Sequence, residues 1–472
     1  RNTRPNVDRT PPPPSPTMLR LALLATLVAA ACGLRRGGGA HDLASALQSG
    51  QPYQQRLENY HELIYHGPIE FGGQVVQAVF DTGSFDVVVT SQRCAKCAFT
   101  PYHSNASKTY RRDPHGYTEE HNYVSGPTTT ALSYETVSVG PLVTRNQSIF
   151  EVLSHNIPIL ERGVFSAVVG IGPEGHNLTN APLLKGFGMT EYSLCLQSQA
   201  GAPGWLTWGG DLTPAQKAAS WELPVVGRYH WALSMRDLLP SRSKHGELTP
   251  TQRQAAQTLM CGRGCAAILD SGTSLISAPS HALQGLQMLL PDLEDDCSNF
   301  GDLPDLEFAL SGLKLRLPPQ AYAMRLVGSA AEKKDAASLL HFPSKKSAGN
   351  RSSADEDGGA KCIYAFISLD HSTDYGPLWI FGMPFFRFFH TTFGMADAAK
   401  DRRVWLSGAS DTCGPVPLNA SFDPNIDAHA KFQGIGVYPK VHVLAGQRQE
   451  SRGPLTIQAR DVKPSRAPKG EL

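Results

Sequence analysis

Two short segments share one order of residue types: an acid, a small hydroxyl residue, a glycine and a second hydroxyl residue. They are Asp81-Thr82-Gly83-Ser84 and Asp270-Ser271-Gly272-Thr273. Each follows an apolar run of the kind that forms a buried strand. A pair of carboxyl groups suits peptide hydrolysis, because one group takes a proton from water while the other gives a proton to the carbonyl oxygen.

The context of these segments separates them from ordinary turns. One Asp-Ser/Thr-Gly sequence is common turn chemistry. Here each segment is followed, much later, by a second apolar-apolar-glycine turn: Val168-Val169-Gly170 in the first half and Ile380-Phe381-Gly382 in the second. The longer second interval contains the polar tract 327–361, which we interpret as a loop insertion. The pattern indicates a duplicated half, with Asp81 and Asp270 as the catalytic candidates.

Paired carboxyl groups at contact distance have a predictable electrostatic consequence. Two like charges about 3 Å apart repel by roughly 5 kcal/mol at an effective dielectric constant of 20. One carboxyl group therefore keeps its proton into mildly acidic or near-neutral conditions. Gly83 and Gly272 let the backbone approach a shared water molecule, because glycine has no Cβ.

The composition excludes several classes of protein. The chain has 472 residues with 43 Lys and Arg against 42 Asp and Glu, so it lacks the basic excess of a nucleic-acid binder. A hydrophobic fraction of 41% provides for two or three domains with a sizeable core. The 35 Pro and 44 Gly have no three-residue period, which excludes collagen and predicts many turns between short strands. A mostly β protein is expected.

The first residues are typical of an exported chain. Residues 1–17 precede Met18 and are interpreted as a non-native leader. Residues 18–31 carry one positive charge, an apolar run and small residues, the layout of a signal peptide. The alternative, a membrane anchor, needs about 20 apolar residues. We expect no transmembrane anchor after signal removal and a location in the secretory pathway, outside the cell or in the lumen of an acidic or endomembrane compartment.

Cysteines and sequons agree with that compartment. Eight cysteines follow Cys32, and an even number in an exported chain predicts disulfides. Five N-x-S/T sequons predict glycosylation, at Asn105, Asn146, Asn177, Asn350 and Asn419.

Three other motifs fail on geometry. His61 and His66 are five residues apart, whereas a zinc-protease helix needs its two histidines at i and i+4. The glycine-rich run 170–175 is not followed by a helix that could receive a pyrophosphate. Cys94 and Cys97 could form a redox or zinc pair, but they lack a βαβ context and a second nearby pair, so a structural disulfide is favoured. No metal and no cofactor is expected.

Further motifs, in order along the chain, resemble those of the pepsin-like aspartic proteases, with cathepsin D and beta-secretase features. They are Leu57-Glu58-Asn59-Tyr60, Trp208-Gly209-Gly210-Asp211, Cys261-Gly262-Arg263-Gly264-Cys265 and Leu378-Trp379-Ile380-Phe381-Gly382. The resemblance runs from about Leu57 to Cys413. It implies an all-β, bilobal pepsin-like fold of two duplicated β-barrel-like lobes, with an active-site cleft between them that accepts an extended polypeptide.

The resemblance also implies a division of the chain. An N-terminal catalytic lobe would span 57–223 and a C-terminal lobe 224–413, followed by a tail over 414–472. The polar stretch 241–260 is interpreted as a second insertion. Residues 32–56 form a short pro-like segment of a zymogen, but they contain no Lys to set against the Asp pair, as typical prosegments do. The tail ends in Lys-Gly-Glu-Leu, one residue away from an endoplasmic-reticulum retrieval signal.

Roles for the neighbours of the Asp pair follow from the same resemblance. Thr82 and Ser271 would form hydrogen bonds between the lobes, and Ser84 and Thr273 would bond the outer carboxylate oxygens. Counting back from Ser133-Tyr134-Glu135-Thr136-Val137 places the flap tyrosine on Tyr123. The alternative for these residues is ordinary turn capping, or for Tyr123 a surface tyrosine.

Two departures from the family pattern bear on flap geometry and on pH optimum. Val88 stands where the family usually has a tryptophan that bonds the flap tyrosine. Met383 and Gly394 occupy places where pepsins often carry Asp.

The resemblance assigns three disulfides: Cys94 with Cys97, Cys261 with Cys265, and Cys297 with Cys362. Cys195 and Cys413 remain, and would fit a bridge found in beta-secretase-like members or stay as two buried free thiols.

The function implied is that of an aspartic endopeptidase, monomeric and acting on polypeptides, without nucleic acid. The alternative is a catalytically silent pepsin-like binding protein. Such proteins usually lose a catalytic Asp or its glycine, and this chain keeps both.

Overall fold

The computed structural model describes residues 52–326 and 361–422, apart from residues 61, 95, 98, 100, 124–125, 158–159, 162–163, 174–181, 295–296 and 419–420. The predicted leader, the signal peptide and most of the pro-like segment therefore lie outside the described residues. So do residues 327–360 of the polar tract, the tail from 423 onward, and three of the five sequons, Asn177, Asn350 and Asn419.

The first half of the described chain is built mainly from strands. They are β1 (Tyr53–Tyr60), β2 (Ile64–Phe71), β3 (Gln74–Asp81), β4 (Val87–Thr90), β5 (Arg111–Arg112), β6 (Thr118–Tyr123), β7 (Gly126–Val139), β8 (Leu142–His155), β9 (Ala167–Gly170), β10 (Glu191–Leu196), β11 (Gly204–Trp208) and β12 (Trp221–Pro224). Two short helices accompany them, α1 (Leu183–Gly186) and α2 (Pro214–Ala219).

The second half has more helix but is still dominated by strands. The strands are β13 (Ala232–Pro240), β14 (Cys265–Leu269), β15 (Ile276–Ala278), β16 (Leu306–Leu310), β17 (Leu313–Leu317), β18 (Ala323–Leu326), β19 (Lys361–Tyr364), β20 (Phe366–Ser368), β21 (Ser372–Thr373), β22 (Gly376–Phe381), β23 (Phe389–Gly394), β24 (Arg403–Ala409), β25 (Pro415–Val416) and β26 (Ser421–Phe422). The helices are α3 (Pro250–Leu259), α4 (Ser280–Leu289), α5 (Pro319–Tyr322) and α6 (Met383–Phe386). The prediction of a mostly β protein is confirmed.

Two kinds of strand explain the sequence patterns. In β17 the leucines are buried and the intervening Lys314 and Arg316 are exposed, which is the period of two expected when one face of a sheet meets the core. In β14 every residue is buried, so the strand reads as a continuous apolar run. Asp270 follows this strand, and Asp81 ends β3, whose last four residues are buried, so both acids lie deep in the molecule.

Each Asp motif ends a strand within the same three-stranded arrangement. In the first half β3 runs parallel to β9, and β9 runs antiparallel to β4. In the second half β14 runs parallel to β22, and β22 runs antiparallel to β15. The repeated apolar-apolar-glycine turns lie at the ends of β9 and β22. The two halves therefore repeat the same pairing and direction of three strands, as well as the same sequence motif.

One sheet joins the two halves. Strand β23 pairs with β10, with Ser193 opposite Thr392, and β24 pairs with β23. Tyr192 stacks on Phe393 with ring centroids 5.0 Å apart, and Trp231 donates its indole N–H to the Tyr192 hydroxyl over 2.8 Å. Two strands from the predicted C-terminal lobe thus complete the sheet of the N-terminal lobe. The first strand of that sheet, β1, begins at Tyr53, inside the predicted pro-like segment.

Four disulfides are present among the described residues. They join Cys94 to Cys97, Cys195 to Cys413, Cys261 to Cys265 and Cys297 to Cys362. Cys195 and Cys413, for which the sequence left free thiols open, are bonded and tie β10 to the chain after β24. Within the described residues, every helix is too short or too polar to cross a membrane.

Gly382 provides a test of the repeated turn. A Cβ at this position would overlap the backbone oxygens of Leu275 and Thr273, which cannot move aside as a side chain can. We expect Gly382→Ala to lower the free energy of unfolding by about 1–3 kcal/mol, the usual cost of overpacking. Gly301→Ala is the control, because a Cβ there meets no atom within 4 Å. Equal urea midpoints for the two variants would contradict this account of the turn.

Candidate active site

The two catalytic candidates are buried side by side. Asp81 ends β3 and Asp270 follows β14, and their residues are only 2% and 1% exposed. A Cβ on Gly83 would lie 2.6 Å from the carboxyl carbon of Asp270, and a Cβ on Gly272 would overlap the Asp81 carboxylate. The opposite carboxyl group therefore leaves no space for a side chain at either position. This is a second reason for the two glycines, besides the approach to a shared water molecule that the sequence suggested.

Backbone amides hold each carboxyl group in place. Gly83 donates its N–H to Oδ1 of Asp81, and Gly272 donates to Oδ1 of Asp270, both over 2.8 Å. These donors fix the plane of each carboxylate and stabilise its charged form. The two bonds are equivalent in the two halves, as the duplicated motif predicts.

The outer hydroxyl residues are not equivalent. Thr273 donates its hydroxyl to Oδ2 of Asp270 over 2.6 Å, as the resemblance implied. The Ser84 hydroxyl, expected to do the same for Asp81, is buried with no hydrogen-bond partner among the described residues, so that expectation is wrong. The β-branched threonine is restricted at χ1, whereas the serine hydroxyl can rotate away from the carboxylate.

The environment favours one proton on the pair. Burial, the charge of Asp81 and a hydrogen bond with Asp81 raise the pKa of Asp270 well above its ordinary value of 3.8. The hydrogen bonds from Thr273 and Gly272 act in the opposite direction. The raised pKa means that Asp270 and Asp81 together retain a proton where isolated carboxyl groups would have lost theirs.

Thr82 and Ser271 tie the two loops together. Thr82 donates its hydroxyl to the Leu269 carbonyl over 2.9 Å and accepts the Ser271 N–H over 2.9 Å. Ser271 donates its hydroxyl to the Phe80 carbonyl over 2.6 Å and accepts the Thr82 N–H over 3.0 Å. All four bonds are buried and join residues nearly 190 positions apart in sequence. We call these four hydrogen bonds the grip, and they join the two halves in the way that the resemblance implied.

A second connection joins the halves at the side of the cleft. The Arg387 guanidinium contacts the Glu62 carboxylate at 2.8 Å and donates to its carbonyl oxygen over 2.6 Å. Arg387 is 7% exposed, so this ion pair is held mostly away from water. Ser274 also donates its hydroxyl to the Leu63 carbonyl. The chain between β1 and β2 is therefore fixed to the second half.

Tyr123, the predicted flap tyrosine, ends β6 directly before the hairpin tip. The tip residues 124–125 lie outside the described residues. Tyr123 packs in a buried cluster with Ile64, Val79 and Phe165. Its pKa is raised well above the ordinary value, first by burial and then by the charge of Asp81. Val88 lines the same small cavity as Tyr123, so the valine leaves space where the family usually has a larger ring.

Sequence reasoning missed a histidine on the flap strand. His121 is fully buried, its Nδ1 lies 3.8 Å from an Asp86 carboxylate oxygen, and its ring meets Phe150 edge-on at 4.8 Å. Asp86 belongs to the loop that follows Asp81. The spacing of two residues between His121 and Tyr123 was the available signal, because residues i and i+2 of a strand share a face.

One group of side chains in the described part of the chain has metal-ligating atoms close together: Cys94, Cys97 and His155. Both sulfurs are already bonded to each other. Of the motifs set aside at the sequence level, His66 accepts or donates a hydrogen bond with Gln77 over 3.0 Å, and His61 lies outside the described residues.

Comparison with known proteins agrees with this geometry. The family model described as eukaryotic aspartyl protease matches residues 64–351. Pepsin A of Bos taurus is 28% identical over 376 residues, which cover 74% of this chain and 85% of that protein. Cathepsin E-A of Xenopus laevis is 24% identical over 365 residues, covering 73% and 80% respectively. Cathepsin E of Cavia porcellus is 26% identical over 375 residues, covering 75% and 83%.

The grip is tested by a pair of isosteric substitutions. Thr82→Val removes one donor and one acceptor and leaves the Leu269 carbonyl and the Ser271 N–H without their partner. We expect a loss of about 2–6 kcal/mol in the free energy of unfolding, from two buried groups left unsatisfied at about 1–3 kcal/mol each.

Thr90→Val is the matched control for this substitution. Thr90 is equally buried in a strand, but its hydroxyl has no hydrogen-bond partner in the described part of the chain. We expect this change to be neutral or stabilising. Chemical denaturation of both variants measures the difference, and a Thr82→Val midpoint equal to that of Thr90→Val would show that the grip contributes no stability.

Proposed function

Because the chain belongs to the eukaryotic aspartyl protease family, we propose that it is an aspartic endopeptidase that hydrolyses peptide bonds in extended polypeptides. Asp81 and Asp270 are the proposed catalytic dyad, in a cleft between lobes 57–223 and 224–413. One observation carries the proposal: two buried carboxyl groups meet across loops whose glycines allow no side chain between them.

The pair supplies both halves of general acid–base catalysis. The charged carboxylate takes a proton from a water molecule as that water attacks the peptide carbonyl carbon. The protonated carboxyl group gives its proton to the carbonyl oxygen, so no full negative charge develops there. When the tetrahedral intermediate breaks down, the carboxyl group that took a proton from water gives it to the leaving amine. The other carboxylate takes a proton from a hydroxyl of the intermediate, so the dyad again holds one proton. The raised pKa of Asp270 supports this shared-proton state.

The residues around the dyad act through position. Thr82 and Ser271 hold the two loops in register, so the carboxyl groups keep their separation. Tyr123 and the β6–β7 hairpin are proposed to cover the substrate and exclude water from the dyad. Val88 leaves room beside Tyr123. That room is expected to change which substrate side chains fit under the flap, compared with relatives that have a larger residue at the position of Val88.

The compartment proposed is the secretory pathway, with the protein exported or held in a lumen. The four disulfides support this, since such bonds persist in oxidising environments. The two sequon residues in the described part, Asn105 and Asn146, are both exposed and could carry glycans.

The dyad is tested by replacing each acid in turn. We expect Asp81→Asn and Asp270→Asn each to lower cleavage of an unfolded protein by at least about a hundredfold, because the acid–base function is lost. Pepstatin is expected to inhibit the unaltered chain. Asp374→Asn is the control, since Asp374 is exposed in the turn before β22. No cleavage at any pH, even after removal of the residues before Tyr53, would favour the silent binding protein.

The raised pKa of Asp270 gives a second, activity-independent test. A carboxyl group whose pKa is raised on folding stabilises the fold below its ordinary value of 3.8, and that stability is lost as pH rises through the raised pKa. Asp270→Asn removes this titration. Relative to the variant, the free energy of unfolding of the unaltered chain is therefore expected to fall as pH rises above 3.8. Parallel pH profiles from urea denaturation would show that Asp270 is not perturbed.

A further inference from the structure

The Cys94–Cys97 disulfide differs from the other bridges in its surroundings. It closes a loop of only two intervening residues directly after β4, with the Cα atoms 5.5 Å apart. Cys94 is buried, in a cluster with Val88, Leu132, Phe150 and Val152, whereas Cys97 is partly exposed. Cys97 is therefore the more accessible of the two cysteines, while Cys94 lies in an apolar setting.

An imidazole lies beside the two sulfurs. His155 ends β8, and its ligating nitrogen and both Sγ atoms lie within 4.8 Å of one another. Nε2 of His155 is buried with no hydrogen-bond partner among the described residues. Nδ1 accepts the N–H of Ile157 over 3.2 Å. In the neutral ring this leaves the hydrogen on Nε2, so the imidazole beside the sulfurs keeps one N–H that no described group accepts.

We propose that Cys94, Cys97 and His155 form a thiol–disulfide exchange site that accepts a dithiol as reductant. A hydrogen-bond donor beside a sulfur stabilises the thiolate that leaves when a disulfide is attacked. The tautomer argues against a zinc site, because a ligating histidine offers a bare nitrogen to the metal and donates through the other one. Here Nδ1 already serves as the acceptor.

The exchange balances in two steps. A thiolate of the dithiol attacks Sγ of Cys97, forming a mixed disulfide as the bond between Cys94 and Cys97 breaks. The electron pair of that bond goes to Sγ of Cys94, which leaves as a thiolate beside the His155 imidazole. The second thiolate of the dithiol then displaces Cys97, so the dithiol is oxidised to its own disulfide and both cysteines are reduced.

The chain contains its own control for loop length. Cys261 and Cys265 also close a short loop, but both are buried, at 2% and 1% exposure. In the described part of the chain, no histidine lies close enough to them to form a ligand group like that at Cys94. A difference in reduction between the two bridges therefore reports on exposure and the imidazole.

The experiment treats the oxidised full chain with dithiothreitol at neutral pH without denaturant. Samples are quenched with acid, alkylated and mapped by mass spectrometry. We expect Cys94 and Cys97 to be labelled about tenfold faster than Cys261 and Cys265. His155→Ala should slow the labelling about tenfold, and His155→Gln, which keeps an N–H donor, should give an intermediate rate.

Circular dichroism of each variant checks that the fold is retained. Cys94→Ser is a second test: treated with the symmetrical disulfide of a small thiol, it should form a mixed disulfide at Cys97 and release one small thiol as the leaving group. Equal labelling of the two short bridges would overturn the proposal, as would a rate unaffected by His155→Ala in a folded variant. If the reduced chain binds one zinc ion and His155→Ala does not, the cluster is a metal site and the exchange assignment is wrong.

Discussion

The structure depends on bringing two carboxyl groups together where water cannot screen them. Asp81 and Asp270 are almost fully buried, so their repulsion is not damped and one proton must be shared. Gly83 and Gly272 make the approach sterically possible, and their own amides hold the carboxylates. The glycine of each loop faces the carboxyl group of the other loop, so the site is formed only when both halves of the chain are present.

The duplicated halves are held in register by interactions that run both ways. The grip uses equivalent atoms of Thr82 and Ser271, and the sheet containing β10 and β23 joins the halves behind it. Symmetry fails at the outer hydroxyls, where Thr273 bonds Asp270 and Ser84 makes no such bond. The two carboxyl groups therefore have different hydrogen-bond environments, although the proton they share belongs to the pair.

Much of this was accessible from the sequence, because the relevant signals are local. The Asp motifs, the apolar strands before them and the later glycine turns all fall within short windows. The features that sequence reasoning missed depend on tertiary contacts or on helix-capping signals that it overlooked. The stretch 241–260, interpreted from its polarity as an insertion, contains α3, which begins with the Thr249 and Gln252 capping box and Pro250. The residues of β23 and β24 do not themselves indicate that these strands pair into the sheet of the first half.

The least predictable feature is how the flap strand is tied to the dyad loop. Val88 stands where the resemblance led us to expect a large ring, and a small cavity lies between it and Tyr123. The contact between His121 and Asp86 lies two residues earlier on the same strand and reaches the loop after Asp81. The flap strand is thus joined to the loop after Asp81 by a polar contact on the same face as Tyr123. Because His121 is fully buried and its ring also packs edge-on against Phe150, this contact fixes the strand from inside the core.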